Sequence, residues 1–212
     1  SWRGSKPGTE AAKKGNDVVM SPTSHCYFDY YQGNPELEPK AWGGNITLKK
    51  VYHFEPIPEQ LSAVEAKHIL GGQANVWTEY MNEGNQVEYM ILPRMTALAE
   101  VLWTPKDLKD WGNFSQRMET QYQRFENMGV NYANSAFQVS AKPELDASTK
   151  LVNVSLFTEA WKPEIRFTTD GTEPNVTSTQ YTEPFKINES HTVKAVVVKD
   201  GKPMSNPLAT DF

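Results

Sequence analysis

Ten residues, Gly71-Gly72-Gln73-Ala74-Asn75-Val76-Trp77-Thr78-Glu79-Tyr80, constrain the fold of this chain more than any other stretch. The apolar pair Ile69-Leu70 runs into two glycines, an aromatic and a carboxylate follow two positions apart, and a helical pattern begins beyond them. Strand, glycine turn, chemically capable side chains and helix are the parts of the last βα unit of a barrel. Trp77 offers a flat apolar face and Glu79 a charged acceptor. A plainer reading stands beside this one, with Trp77 as core and Glu79 as a first-turn carboxylate favoured by the helix dipole.

The chain before this stretch alternates short apolar runs with helical patterns. Trp2 to Gly4 reads as the end of a strand, and Thr9 to Lys14 as a short helix with Thr9 as N-cap and Gly15 as its stop. Asp17 to Ser21 suits a strand buried on both faces. Ser24 to Pro58 lacks periodicity but carries seven aromatics among Gly and Pro, the composition of a functional loop rather than a disordered one. Pro58 to Lys67 reads as a helix and His68 to Gln73 as the next strand.

After the opening stretch, Val87, Met90, Ile91, Met95, Leu98, Val101 and Leu102 form a helical stripe over Gln86 to Trp103, with Pro93 marking a first turn or a kink. A second helix runs from about Asp110 or Asn113 to Met128, with Gly129 as its C′ residue. Alternation of this kind implies parallel βαβ units. Only about two and a half units fit, too few to close an eight-stranded barrel, so unpaired edges remain. They call for the missing N-terminal part of the barrel or a second copy.

The texture changes near Ala136. Val and Thr dominate, and the turn pairs Asp170-Gly171 and Asp200-Gly201 recur. Leu151 to Phe157, Glu164 to Thr169, Thr192 to Lys199 and a closing strand near Leu208 predict a small antiparallel β-sandwich. The expected fold class is therefore α/β plus all-β: residues 1–136 as the last (βα) units of a TIM-type barrel, residues 137–212 as a β-sandwich module.

Charge and composition narrow the partners. The net charge of −5 and the lack of any basic block argue against nucleic acid and anionic membrane surfaces. No apolar run reaches the length of a membrane span. The single cysteine, Cys26, rules out an internal disulfide and leaves the compartment open. There is no initiator Met and no signal-like segment, as if the chain began mid-structure. Asn-x-Ser/Thr sequons begin at Asn45, Asn113, Asn153, Asn175 and Asn188, and matter only in a eukaryotic secretory route.

In a barrel, functional residues stand at the carboxyl ends of strands. Those positions hold Trp2 and Arg3, then Tyr27 and Asp29, then Trp77 and Glu79. Aromatic faces stacking on sugar C–H surfaces, with carboxylates taking hydroxyls, make a carbohydrate site. Core packing for Trp2, a loop anchor for Tyr27 and a turn cap for Asp29 remain open beside it. Asp29 and Glu79 suggest the carboxyl pair of a glycosidase, but neither neighbourhood signals a raised pKa, and both suit plain hydroxyl acceptors. His25, Cys26, His53 and His68 lack metal-ligand spacing, so neither metal nor cofactor is expected.

Three separated motifs carry a family resemblance. Gly71 to Tyr80, continued by Tyr89-Met90-Ile91-Leu92-Pro93-Arg94-Met95-Thr96-Ala97-Leu98-Ala99-Glu100-Val101-Leu102-Trp103, resembles the closing βα unit of glycoside hydrolase family 20, the β-N-acetylhexosaminidases. Trp2-Arg3-Gly4 resembles the end of that family's sixth strand, and Tyr27-Phe28-Asp29 its Tyr-x-Asp signature after the seventh. Ile165 to Pro174, Tyr181 to Phe185 and Thr192 to Ala195 resemble the C-terminal module of chitobiase-type enzymes.

The resemblance implies an N-acetylhexosamine-terminated glycan as partner. Trp2 and Trp77 would wall the acetamido pocket, Tyr27 would orient the acetamido carbonyl, and Asp29 and Glu79 would hold hydroxyls. It also implies substrate-assisted retaining hydrolysis, in which the acetamido oxygen attacks the anomeric carbon, and a periplasmic or extracellular location. The family's His-x-Gly-Gly-Asp-Glu motif, source of the general acid, is absent from the sequence. The chain alone is therefore expected to be inactive: a sugar-binding part of a hexosaminidase. The alternatives are a stand-alone non-catalytic sugar-binding protein and an attachment module centred on the sandwich.

Overall fold

The computed structural model describes residues 1–188 and 191–212. The sequon that starts at Asn188 therefore runs outside the described residues. Packing divides the chain into two units, Ser1–Ala133 and Asn134–Phe212.

The first unit opens with α1 (Lys6–Lys13), which starts before the expected Thr9 because Pro7 fits a first helical turn. Thr9 is not a cap, since its hydroxyl donates back to the Ser5 carbonyl at 2.9 Å. β1 (Val18–Met20) follows, then α2 (Thr23–Cys26), β2 (Tyr30–Tyr31), β3 (Trp42–Asn45) and α3 (Leu48–Tyr52). The stretch expected as an aperiodic functional loop thus holds a parallel β2–β3 pair, two short helices and a 3₁₀ turn at Pro35–Leu37. Each is too brief to show a period. Thr47 caps α3 by accepting from the Lys50 N–H, and Leu48, Val51 and Tyr52 are buried.

The helix expected over Pro58 to Lys67 does not form. Only a 3₁₀ turn at Glu65–His68 appears, with the Ser62 N–H donating to the Glu65 carboxylate. β4 (Ile69–Gly72) comes next and pairs with β1 in parallel. Gly72 is packed so closely that a Cβ there would stand 3.1 Å from the Phe54 ring and 3.3 Å from the Leu102 side chain.

The long stripe after β4 becomes two helices, α4 (Gly84–Ile91) and α5 (Arg94–Trp103). Pro93 separates them. Proline supplies no N–H and pushes its predecessor out of the helical region, and Leu92 is extended. Of the stripe, Met90, Leu98 and Val101 are buried, whereas Met95 and Leu102 face solvent. α6 (Trp111–Met128) is capped by Asp110, which accepts from the Asn113 N–H, and ends on left-handed Gly129. Its buried face is Phe114, Met118, Tyr122 and Phe125.

The β1–β4 pair is covered on one face only. Val18, Met20 and Ile69 are buried, while Val19 and Leu70 are 43% and 65% exposed. Trp2 to Gly4 has no strand pairing of its own, contrary to expectation. Ser1 does, in effect: its amino group donates to the Val19 carbonyl at 2.7 Å and its carbonyl accepts from the Ser21 N–H at 3.0 Å. Those are the two bonds of a parallel neighbour placed opposite Met20.

The second unit is antiparallel throughout its named strands. β5 (Ser140–Asp146), β6 (Leu151–Phe157), β7 (Glu164–Thr168), β8 (Thr179–Gln180), β9 (Phe185–Ile187), β10 (Thr192–Lys199), β11 (Lys202–Pro203) and β12 (Leu208–Asp211) form two sheets. One has the order β5-β6-β9; the other runs β11-β10-β7-β8, with β12 also on β10. β5 was unforeseen because Pro143 lies within it. An edge strand tolerates that proline, and β5 is at an edge. Val154, Leu156, Ile165, Ile187, Val193 and Val196 are among the buried apolar residues of these strands.

Candidate functional site

The strand ends of the first unit converge. Beyond Gly72, the chain keeps pairing: the Gln73 N–H donates to the Met20 carbonyl, and Asn75 exchanges bonds with Cys26 and Phe28 at 2.8 Å each. This parallel bridge fixes Tyr27 beside Asn75. Asn75 Nδ2 then donates to Ser21 Oγ at 2.8 Å, and Gln73 Nε2 to Asn75 Oδ1 at 3.0 Å.

An open depression of about 520 Å³ lies over these ends, lined by Trp2, Ser21, Tyr27, Gln73, Asn75 and Trp77 among others. The two tryptophans are half exposed, at 53% and 54%, which is far from the core position that the plainer reading gave them. The Arg3 guanidinium rests on the Trp2 ring, 4.6 Å from its centroid. Thus Trp2, Tyr27 and Trp77, some 75 residues apart at the extremes, meet around one cavity.

Asp29 and Glu79 are placed differently. Neither lines the depression. Asp29 is buried, at 3% exposure, and its Oδ1 is sealed from solvent without a hydrogen-bond partner among the described residues. Glu79 is exposed. Contrary to the expectation of an ordinary carboxyl, burial raises the Asp29 pKa and the neighbouring Glu79 charge raises it further. The Arg94 charge and the main-chain N–H groups of Asp29 and Trp77 oppose that shift.

Arg94 is the residue that sequence reasoning missed. Its guanidinium is fully buried. Nη2 donates to the Phe28 carbonyl at 2.5 Å, and Nη1 to those of Tyr30 and Ile46 at 3.0 and 3.1 Å. Nη2 and Nε also reach the Met90 carbonyl. Burial lowers its pKa to about 9, against the opposing pull of Glu38 and Asp29. A signal was available. Positions 94, 97, 98 and 101 share the buried face of α5, so a charge stands on an apolar stripe.

Cys26 is buried, and desolvation drives its thiol up to about 12, leaving it inert as a nucleophile. His25 stacks on Phe54 at 5.5 Å and burial lowers its pKa. His53 bonds the Lys49 carbonyl, and His68 pairs with Asp17 at 2.9 Å. No group of three or more metal-ligating side chains gathers among the described residues, and no described helix is long and apolar enough to cross a membrane.

Comparison with known proteins adds a second line. Residues 1–106 match the profile of the "Glycosyl hydrolase family 20, catalytic domain", and residues 146–209 that of the "Chitobiase/beta-hexosaminidase C-terminal domain". The chain is 37% identical over 207 residues to a beta-hexosaminidase of Porphyromonas gingivalis, covering 97% of this chain and 26% of that protein. It is 35% identical over 127 residues to a beta-N-acetylhexosaminidase of Cellulomonas fimi, covering 59% of this chain and 25% of that one. The chain therefore spans about a quarter of the length of these relatives. Among solved structures it is similar to a GH20 exo beta-N-acetylglucosaminidase from Vibrio harveyi in complex with N-acetylglucosamine. The TM-score is 0.57 at 33% identity, over 63% of this chain and 21% of that one.

Proposed function

The chain belongs to glycosyl hydrolase family 20, and from that premise we propose that it forms the sugar-binding part of an exo-acting β-N-acetylhexosaminidase. The single observation that carries this reading is the meeting of Trp2, Tyr27 and Trp77 around one open depression at the carboxyl ends of parallel strands. Its ligand is the terminal N-acetylhexosamine of a glycan. Trp2 and Trp77 wall the N-acetyl group, and Tyr27 donates to the acetamido carbonyl. Asp29 and Glu79 accept sugar hydroxyls at the far side.

The chemistry follows from how those groups hold the sugar. In substrate-assisted hydrolysis the acetamido oxygen attacks the anomeric carbon while an acid protonates the leaving oxygen. Confinement between two indoles and a phenol keeps the acetamido group in the reactive pose, which lowers the entropy to be lost on reaching the transition state. The acid comes from an Asp-Glu pair that this sequence does not contain. Asp29 and Glu79 are not that pair, being fifty residues apart in the sequence rather than adjacent.

On this reading the first unit is the last part of a (β/α)8 barrel, and residues 137–212 are its chitobiase-type β-sandwich. The bare Val19 and Leu70 face supports it, because parallel sheets are normally covered on both sides. The strand-like bonds of Ser1 support it too. Partners are the glycan and the remainder of the barrel, outside the cytoplasm, with no cofactor.

The test has two parts. The purified chain is expected to release no chromophore from a 4-nitrophenyl N-acetyl-β-glucosaminide, yet to bind N-acetylglucosamine with a change in indole fluorescence. Turnover that disappears in Glu79→Ala would sink the division of labour proposed for these carboxylates.

A further inference from the structure

Asp29 sits between two residues whose carbonyls are both held by Arg94. The guanidinium bonds Phe28 on one side, Tyr30 on the other, and Ile46, the residue just beyond β3, from the same nitrogen that holds Tyr30. β3 touches Asp29 as well, since the Trp42 N–H donates to the Asp29 carbonyl at 3.1 Å. The ring of Phe28 lies under the guanidinium, 4.8 Å from Cζ to centroid. One side chain of α5 thus ties the turn that presents Asp29 to the strand beside it.

A buried guanidinium is a costly way to fill space. Its desolvation is unfavourable, and the hydrogen bonds it makes here go to neutral carbonyls rather than to a touching carboxylate. A planar fork explains the geometry, because no other side chain reaches several diverging carbonyls at once. The retained charge needs its own reason. Asp29 is desolvated, and Glu79 lies close enough to oppose its ionisation further.

We propose that Arg94 is the positioning residue of the sugar-hydroxyl subsite: it fixes the Tyr27–Tyr30 turn from behind and supplies the positive charge that keeps Asp29 an acceptor beside Glu79. This rests on the assignment of Asp29 as a hydroxyl acceptor, and it adds a residue that never touches the sugar. The groups that face Asp29 are Glu79, which opposes its ionisation, Arg94, which favours it, and the phenol of Tyr30 on the same turn. Around Arg94 stand Glu38, Asp29 and Tyr89. The Tyr89 hydroxyl donates to Glu38 at 2.8 Å, which holds that second carboxylate in place.

Two variants of the 212-residue chain separate the two halves of this role. Arg94→Lys keeps the charge and loses the fork; Arg94→Gln keeps one donor group and loses the charge. The readouts are the pH titration of the Asp29 carboxyl carbon by NMR and the affinity for N-acetylglucosamine at about pH 7. In Arg94→Gln the Asp29 midpoint is expected to move to higher pH. In Arg94→Lys it is expected to stay near the parent value, while sugar affinity falls about tenfold, the size of one charge-assisted contact set out of place.

An unshifted Asp29 midpoint in Arg94→Gln, or parent-like affinity in Arg94→Lys, would overturn the proposal. Should Arg94→Gln not fold, Arg94→Lys decides alone. The two readouts also keep this inference apart from the reading under it. If the parent chain binds no sugar, the subsite assignment fails, and the carboxyl titration still decides whether Arg94 governs Asp29.

Discussion

The two arms of the candidate pocket are built in opposite ways. The Tyr27–Asp29 arm is sealed: Phe28 and Asp29 are buried, Asn75 brackets Tyr27 with two main-chain bonds, and Arg94 grips the turn from beneath. The Trp77–Glu79 arm belongs to no helix or strand, and its Trp77, Thr78 and Glu79 are exposed. One arm is organised before any ligand arrives; the other presents groups to solvent. The cost of order therefore falls in different places. For the first arm it is met within the fold by α5, whereas the second gains its contacts only when a sugar lies against it.

Removing the brace should disturb that contrast most. Arg94→Ala leaves the carbonyls of Phe28, Tyr30, Ile46 and Met90 buried and short of a donor, and is expected to destabilise the chain by about 3–5 kcal/mol. Equilibrium urea unfolding measures it. A loss under about 1 kcal/mol would mean that the first arm stands without α5.

Next comes Gly44. Its φ is +100°, and a Cβ there would meet the Tyr30 ring at 2.6 Å. Gly44→Ala is expected to cost about 2 kcal/mol through backbone strain and displacement of that ring. The Asp29 amide resonance should move with it. The exposed arm should behave in the reverse manner: Trp77→Ala is expected to leave the unfolding midpoint nearly unchanged while weakening N-acetylglucosamine binding about tenfold.

The smallest effect is a gain. Burial and Glu79 raise the Asp29 pKa, so the folded chain holds that proton more tightly than the unfolded one. Its contribution to stability is therefore greatest below the ordinary carboxylate range and declines as pH rises through the folded-state value. Asp29→Asn removes this decline and is expected to stabilise the chain near neutral pH by about 1 kcal/mol, because the amide carries no charge to desolvate, while sugar affinity falls. Thermal melts at acid and neutral pH check the sign.

The contrast between the arms also explains what was legible in the sequence. Trp2, Tyr27 and Trp77 could be read because the residue type of each announces a face or a hydroxyl, and Trp77 also stands just past the Ile69-Leu70 run. Long periodic helices such as α6, with Asp110 and Gly129 at its ends, could be read for the same reason: many positions agree. The supports could not. α3 has five residues and β2 two, so neither establishes a period, and the helix expected over 58–67 lost to turns around Ser62 and Glu65. Arg94 was hidden because its partners are main-chain carbonyls, which no side-chain pattern reports. The raised pKa of Asp29 depends on burial and on Glu79, fifty residues away in sequence.

The claim on which the rest depends is that this chain holds a terminal N-acetylhexosamine between Trp2 and Trp77. The decisive measurement is a titration of indole fluorescence with N-acetylglucosamine, run in parallel on the parent chain and on Trp77→Ala. The expected result is a saturable change with a millimolar midpoint in the parent, weakened about tenfold in the variant, and no such change with glucose, which lacks the acetamido group. Identical responses to both sugars, or an unaltered midpoint in Trp77→Ala, would mean that the two indoles do not enclose an N-acetyl group.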